Sequence, residues 1–188
     1  MKNIFKDRML CLLYLLTVCA CLFSGCAQTS PPSTSYIWEH DFSAEVSGVM
    51  NGQELRLYLT VTGTDTTAKA VRLEYLSPSV LDGMTVTARV APTTAADRNG
   101  AIELPACSDV EITYRGHSHA LPTGALDGLL LPVSLLFSLS TPTTVQKGDA
   151  TYTLTFDGGI VLVLAPDGMP RSLASPLLSV TFTPLDFS

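Results

Sequence analysis

Residues 42–62 read FSAEVSGVMNGQELRLYLTVT, in which apolar and polar side chains alternate on both sides of an Asn-Gly pair. Alternation with a period of two is typical of a β-strand that buries one face. Asn51 and Gly52 both tolerate positive φ, so the pair predicts a tight hairpin. The stretch therefore predicts two antiparallel neighbouring strands, the first around residues 42–46 and the second from 55 to 61.

The same alternation recurs along most of the chain. A third strand carries Val71, Leu73 and Tyr75 and stops at Ser77-Pro78, and a fourth follows from Met84. The unbroken apolar run at 160–164 predicts a strand covered on both faces. Further strands are predicted at residues 101–104, 110–114, 152–156 and 178–182, with a loop at 91–99. Neighbouring strands joined by short turns predict a meander.

Between Pro122 and Pro142 the period changes from two to spacings of three and four. Leucines dominate residues 126–139, and only Asp127 is charged from 124 to 141. This pattern predicts one apolar helical segment, broken or started afresh at Pro132, because proline suits a first helical turn and not a helix interior. With so little polar surface, the segment must be buried on most sides.

The first 25 residues have the layout of a secretory signal peptide. Lys2, Lys6 and Arg8 form a basic leader, and the apolar run at 9–23 is too short to cross the hydrocarbon of a bilayer comfortably. Ser24 and Gly25 then stand directly before Cys26.

This ending resembles the bacterial lipobox. The resemblance implies that Cys26 is lipidated and becomes the first residue of the mature chain, which is then extracytoplasmic and anchored to a bacterial membrane. The alternative is an ordinary signal peptide cut near Ala27, with Cys26 left as a plain thiol. The predicted organisation is a signal peptide at 1–25, a lipidated tether at 26–36 and a domain at 37–188.

Composition narrows the range of partners. Without residues 1–25 the chain loses three basic residues and one acidic residue, which leaves 8 Lys+Arg against 16 Asp+Glu. A net charge near −8 disfavours nucleic acid as a partner. Of the five cysteines, three leave with the leader and Cys26 is committed to lipid, so Cys107 remains alone and the mature monomer has no disulfide. Its stability must come from an apolar core.

The sequence contains no convincing catalytic pattern. His117 and His119 would share a face if they lay on a strand, but residues 115–119 read as a loop, and no nearby acid or thiol completes a metal site. No Gly-x-Ser-x-Gly elbow, Ser-x-x-Lys arrangement or glycine-rich phosphate loop is present. We therefore expect exposed histidines, no metal, no cofactor and no enzymatic activity.

The order of elements behind the lipobox resembles the LolA/LolB and LppX group of lipoprotein-carrier-like proteins. The likeness lies in the 42–48 strand, the 73–78 strand with its Leu81-Asp82-Gly83 turn, and the Leu-rich insert at 126–139. Residues 152–170 look like the late hairpin of that group, and 178–182 like its last strand. The resemblance implies a mainly β fold: a strongly curved, incompletely closed antiparallel sheet, or half-barrel, with short helices covering its concave face.

Physical reasoning agrees with this arrangement. A long antiparallel meander twists, and one that does not close must cover its apolar face, for which residues 125–139 are the candidate. The predicted core or ligand-lining residues are Leu55, Leu57, Leu59, Val71, Leu73, Val86, Leu130, Leu135, Leu139, Leu154 and Leu162.

Two functions are open at this point. In the first, a lipid-anchored protein binds or carries a hydrophobic ligand, a lipid or an acyl chain, in the concavity of the half-barrel. In the second, the core is solid and the lipoprotein is a non-enzymatic sensor or regulator that binds another envelope protein. A cavity that takes up apolar probes would favour the first, and a filled core the second.

Overall fold

A computed structural model describes residues 35–63, 68–91, 106–122, 128–139 and 141–185. These residues belong to a compact unit that spans Pro31–Ser188. The predicted signal peptide, Cys26, most of the tether, the 101–104 strand and Leu126 lie outside the described residues, and so does the 91–99 loop apart from its first residue.

The described residues contain eleven strands, two short α-helices and a three-residue 3-10 helix at Asp157–Gly159. The α-helices are α1 (Ser35–Glu39) and α2 (Leu131–Ser138). The first six strands are β1 (Phe42–Met50), β2 (Gln53–Thr62), β3 (Lys69–Ser77), β4 (Thr85–Ala91), β5 (Ala106–Tyr114) and β6 (His117–Leu121). The remaining five are β7 (Thr144–Lys147), β8 (Tyr152–Phe156), β9 (Ile160–Leu164), β10 (Pro170–Ala174) and β11 (Leu178–Pro184). None of the described helices is long and apolar enough to span a membrane.

All eleven strands belong to one antiparallel sheet in the order β6-β5-β4-β3-β2-β1-β11-β10-β9-β8-β7. The strands β6 and β7 are its two edges, so the sheet is not closed into a barrel. This confirms the predicted mainly β, incompletely closed half-barrel with few helices. The chain runs outward from β1 to one edge, passes through α2 to the other edge, and returns to β1.

The predicted hairpin is present at the centre of the sheet. Met50 pairs with Gln53, and the two turn residues Asn51 and Gly52 have φ values of 51° and 77°. Positive φ at both positions matches the right-handed twist of the flanking strands, which is why an Asn-Gly pair predicts this turn well. The predicted pairing of the first two strands is confirmed.

The sequence analysis did not predict a second hairpin turn with positive φ at both turn residues. Arg115 and Gly116 have φ values of 50° and 80°, and they connect β5 to β6. The prediction that residues 115–119 form a loop is therefore wrong, because His117 and His119 lie in β6. Arginine is not a residue type that predicts a turn, so Gly116 was the one sequence signal for this hairpin.

Other differences concern elements with weak patterns. The edge strand β7 is exposed throughout and has no apolar period, and β10 begins at a proline, so neither was predicted. In β9, only alternate residues are buried while Val161 and Val163 are half-buried, so the prediction of full cover on both faces is wrong. A run of apolar residues does not by itself report how much covers the second face.

One face of the sheet, here called the inner face, carries the core. Alternate residues of β2, β3, β8 and β9 are buried there, and they form one apolar cluster with side chains from α2. The opposite, outer face carries mostly Thr, Ser and charged side chains. The meander therefore has a single apolar side that α2 helps to cover.

The two arms of the sheet meet where β1 pairs with β11. The register runs from Ala44 opposite Pro184 to Met50 opposite Leu178, and Gly48 lies opposite Val180. A Cβ added to Gly48 would overlap the carbonyl oxygen of Ser179 and lie 2.8 Å from the Cα of Val180. A glycine is thus required at this position because the neighbouring backbone occupies the space of a side chain.

Gly48→Ala should force β1 and β11 apart and lower the free energy of unfolding by about 1–3 kcal/mol, as overpacking does in other interiors. Gly128→Ala is the matched control, because an added Cβ there meets nothing within 4 Å. Urea denaturation of both variants measures the effect. Equal stability of the two variants would contradict the close approach at Gly48.

Candidate functional site

All eleven predicted core or ligand-lining residues lie on the inner face of the sheet or in the segment around α2 that packs on it. Each is at most 7% exposed, and all belong to one continuous apolar cluster. The strands β2, β3, β4, β8 and β9 supply Leu55, Leu57, Leu59, Val71, Leu73, Val86, Leu154 and Leu162, and the segment around α2 supplies Leu130, Leu135 and Leu139. The fold thus brings together residues more than 100 positions apart. Contact with a ligand stays a prediction for each of them.

The helix α2 covers part of this face, as expected for the Leu-rich insert. It begins at Leu131 with Pro132 in its first turn, in agreement with the predicted start. Its six residues from Pro132 to Phe137 are all buried. A helix buried on so many sides has no solvent face, which explains the lack of charge in this segment. The connection that contains it runs from β6 at one edge to β7 at the other.

One buried hydroxyl ties the start of this segment to the sheet. The Tyr75 side chain on β3 is 0% exposed, and its hydroxyl donates a hydrogen bond of 2.5 Å to the carbonyl of Leu129. Burial raises the pKa of Tyr75 well above its ordinary value, so the phenol stays protonated and remains a donor even at alkaline pH. The sequence identified Tyr75 as an inward-facing strand residue but did not reveal this contact.

The other side of α2 is contacted by α1. The rings of Trp38 and Phe137 meet edge to face, with centroids 4.7 Å apart and an interplanar angle of 74°. Ile37 is 1% exposed beside them. Because α1 directly precedes β1, the chain entering the domain packs on the helix that covers the inner face.

A buried lysine forms hydrogen bonds at the end of the sheet where β1 begins. Lys69 is 2% exposed, and its Nζ donates to Asp41 Oδ1 at 3.0 Å and to the Gly63 carbonyl at 2.7 Å. The N–H of Gly63 donates to the same Asp41 oxygen at 2.9 Å. The sequence analysis missed this cluster. The strand period could have predicted the burial of Lys69, because Lys69 has the same alternation as the inward-facing Val71 and Leu73.

The histidine pair meets one condition for a metal site but not the others. His117 and His119 lie two apart on β6, so they share a face, and both are exposed as expected. Within the described ranges, no group of three or more His, Cys, Asp or Glu side chains could hold a metal ion. Cys107 is half-buried on β5.

Comparisons with known proteins add little. No protein-family model matches the chain, and no curated protein matches it. A search of solved structures found similarity to a DUF1329 family protein from Desulfovibrio piger, with 9% sequence identity, a TM-score of 0.34, and coverage of 82% of this chain and 75% of that one. A score this low supports no conclusion about function.

Tyr75→Phe should weaken the attachment of the α2 segment. The substitution leaves the Leu129 carbonyl without its partner in the interior, so we expect the free energy of unfolding to fall by about 1–3 kcal/mol. Tyr58→Phe is the control, because Tyr58 is half-buried on the outer face of β2. It should change the free energy of unfolding by less than about 0.5 kcal/mol. Urea denaturation at pH 7 compares them, and similar values for both would show that the contact is unimportant.

The raised pKa of Tyr75 adds a pH dependence. The folded protein keeps a phenol proton that the unfolded chain releases above about pH 10, so the stabilisation is complete below pH 10 and is lost as the pH rises further. Between pH 10 and 11 the parent should lose about 1 kcal/mol more stability than Tyr75→Phe.

Proposed function

We propose that this chain is a lipid-anchored, non-enzymatic protein of the bacterial cell envelope that binds a hydrophobic ligand, a lipid or an acyl chain, at the inner face of its half-barrel. The observation that carries the proposal is the position of α2. This helix is apolar on nearly all sides and lies on the inner face of an open sheet, outside the strand ladder.

Movement of α2 is compatible with an intact sheet. The helix takes no part in the hydrogen bonds between strands, so it can shift without breaking any of them. The described polar contact between its leading segment and the sheet is the one from Tyr75 to Leu129. Displacing α2 would expose the aliphatic side chains of β2, β3, β8 and β9, a surface suited to an acyl chain.

Attachment to the membrane rests on the sequence. In this proposal the lipobox-like ending at Ser24-Gly25-Cys26 directs lipidation of Cys26. The lipidated chain would enter the domain next to α1, which contacts α2 through Trp38 and Phe137. The helix covering the inner face would then lie close to the point where the tether enters the domain.

A second function is favoured by a different observation. All eleven predicted lining residues are almost completely buried, which is also what a filled core shows. A solid core would leave the protein to act through its outer surface, as a sensor or regulator that binds another envelope protein. The ligand experiment below separates the two functions.

Cys26→Ser should release the protein from the membrane fraction, because it removes the thiol that would carry the acyl chains. Cys107→Ser is the control and should leave the protein with the membrane. Fractionation of cells expressing each variant, followed by immunoblotting, gives the answer. Retention of Cys26→Ser in the membrane fraction would mean that the lipobox interpretation is wrong or that the uncut leader is the anchor.

Native mass spectrometry of the released Cys26→Ser protein, purified without detergent, tests the ligand. We expect a discrete added mass that organic extraction identifies as a lipid. Leu135→Asp in this background places a carboxylate at a position that is 7% exposed and should abolish the added mass, whereas Val145→Asp, at a 43% exposed position of β7, should retain it.

Circular dichroism is used to check that both variants are folded. A clean mass for the parent, together with no uptake of added fatty acid or phospholipid, would reject the ligand-binding function and support the protein-binding alternative.

A further inference from the structure

The outer face of the sheet carries a groove that is separate from the inner face and independent of the function proposed above. It has a volume of about 320 Å³ and crosses β2, β3 and β4 to reach β5. Its polar and charged lining consists of Thr60, Thr62, Arg72, Thr87, Arg89 and Asp109. The five residues on β2, β3 and β4 alternate with buried residues, so their side chains project from the outer face.

Strand register brings these residues together in two rows. Members of a row are direct cross-strand neighbours on β2, β3 and β4. The first row is Thr60, Arg72 and Thr87, and the second is Thr62, Ala70 and Arg89. Ala70 is the smallest side chain among them, and its position in the middle of the second row leaves a hollow between longer neighbours.

The two arginines border this hollow from different strands. Arg72 lies opposite Thr87, and Arg89 is two residues farther along β4. Diagonal neighbours of this kind have Cβ atoms roughly 7–8 Å apart, which lets two guanidinium groups reach one small group between them. Both side chains are well exposed, at 58% for Arg72 and 68% for Arg89, so their donors are accessible.

A bulge in β5 places a carboxylate beside one of the arginines. The register between β4 and β5 shifts between Thr87 and Arg89, and Asp109 at the bulge has a φ of 50°. Its Oδ2 lies 3.6 Å from Nε of Arg89. Bulges commonly re-aim a side chain, and Asp is one of the few residues that tolerates left-handed backbone.

Neither arginine is firmly occupied by its carboxylate. The Arg72–Glu74 distance is 3.4 Å and the Arg89–Asp109 distance is 3.6 Å, and all four side chains are more than 40% exposed. Exposed ion pairs contribute little to stability, so a competing anion can readily displace the carboxylate. The lining of the groove contains two cations and one anion, and Glu74 lies beside Arg72 just outside this lining; the whole chain has a net charge of −6.

We infer that this groove binds the phosphate group of a small phosphomonoester, with Arg72 and Arg89 as its two cationic contacts. Two guanidinium groups match the charge of a phosphate dianion, and three threonine hydroxyls offer donors from other directions. The described lining contains no aromatic ring on which a neutral sugar could stack. Asp109 competes with the phosphate for Arg89.

Isothermal titration calorimetry of the full chain with inorganic phosphate, at pH 7.5 and low salt, tests the inference. Saturable binding is expected for the parent. Arg72→Gln and Arg89→Gln should each weaken it by about tenfold or more, because each removes a charge-assisted hydrogen bond. Arg56→Gln is the matched control: Arg56 is also on the outer face and ion-paired, with Glu45 at 2.6 Å, but lies outside the groove.

Asp109→Asn gives a prediction of opposite sign. Asparagine keeps the left-handed backbone conformation but removes the competing charge, so phosphate binding should tighten several-fold. A merely structural role for Asp109 would leave the affinity unchanged or reduce it, and either result would overturn its assigned role.

Two sources of the phosphate group are distinguished by further titrations. Glycerol 3-phosphate represents soluble phosphomonoesters, and short-chain phosphatidic acid represents a lipid headgroup. Tighter binding of either one than of inorganic phosphate, with the same loss in Arg72→Gln, supports the inference and identifies the source. No saturable binding of any of the three, or an equal loss in Arg56→Gln, would overturn it.

Discussion

The pairing of β1 with β11 is the contact on which the rest of the structure depends. Strands β1–β6 form one meander and β7–β11 another, and the chain between them passes through α2. Hydrogen bonding from Ala44–Pro184 to Met50–Leu178 makes the two meanders one sheet. Its close approach at Gly48 leaves no room for a side chain. Without this pairing, the inner face would be divided and two more edges would be exposed.

The inner face of this single sheet is apolar, and α2 covers part of it. The apolar face of a sheet must be shielded from water. In an open sheet, the covering segment can run across this face from one edge to the other. The connection through α2 runs between those edges, packs its buried residues on the inner face and is attached by the Tyr75 hydroxyl. A cover of this kind is more easily displaced than a strand, because it shares no ladder hydrogen bonds. The hydrophobic-ligand proposal follows from this difference.

The outer face has different physical properties from the inner one. It is exposed and polar, yet register places two arginines diagonally across a hollow and a bulge aims Asp109 at one of them. A site on this face would recognise charge, whereas one on the inner face would recognise apolar surface. The two faces could therefore serve separate ligands with no shared residues.

The sequence by itself determined features that depend on near neighbours. Alternation predicted most of β1–β4, β8 and β11, and an apolar run predicted β9. Asn51-Gly52 predicted the central hairpin, and Pro132 predicted the start of α2, because backbone conformation and strand period are local properties. Only the tertiary structure decided that His117 and His119 lie on a strand, that Lys69 is buried against Asp41, and that Arg72, Arg89 and Asp109 border one groove. These facts depend on cross-strand register and on which edge each segment reaches. A tight turn fixes the register within one hairpin, but the alignment of side chains across several strands also depends on bulges and longer connections, which the local sequence pattern does not identify.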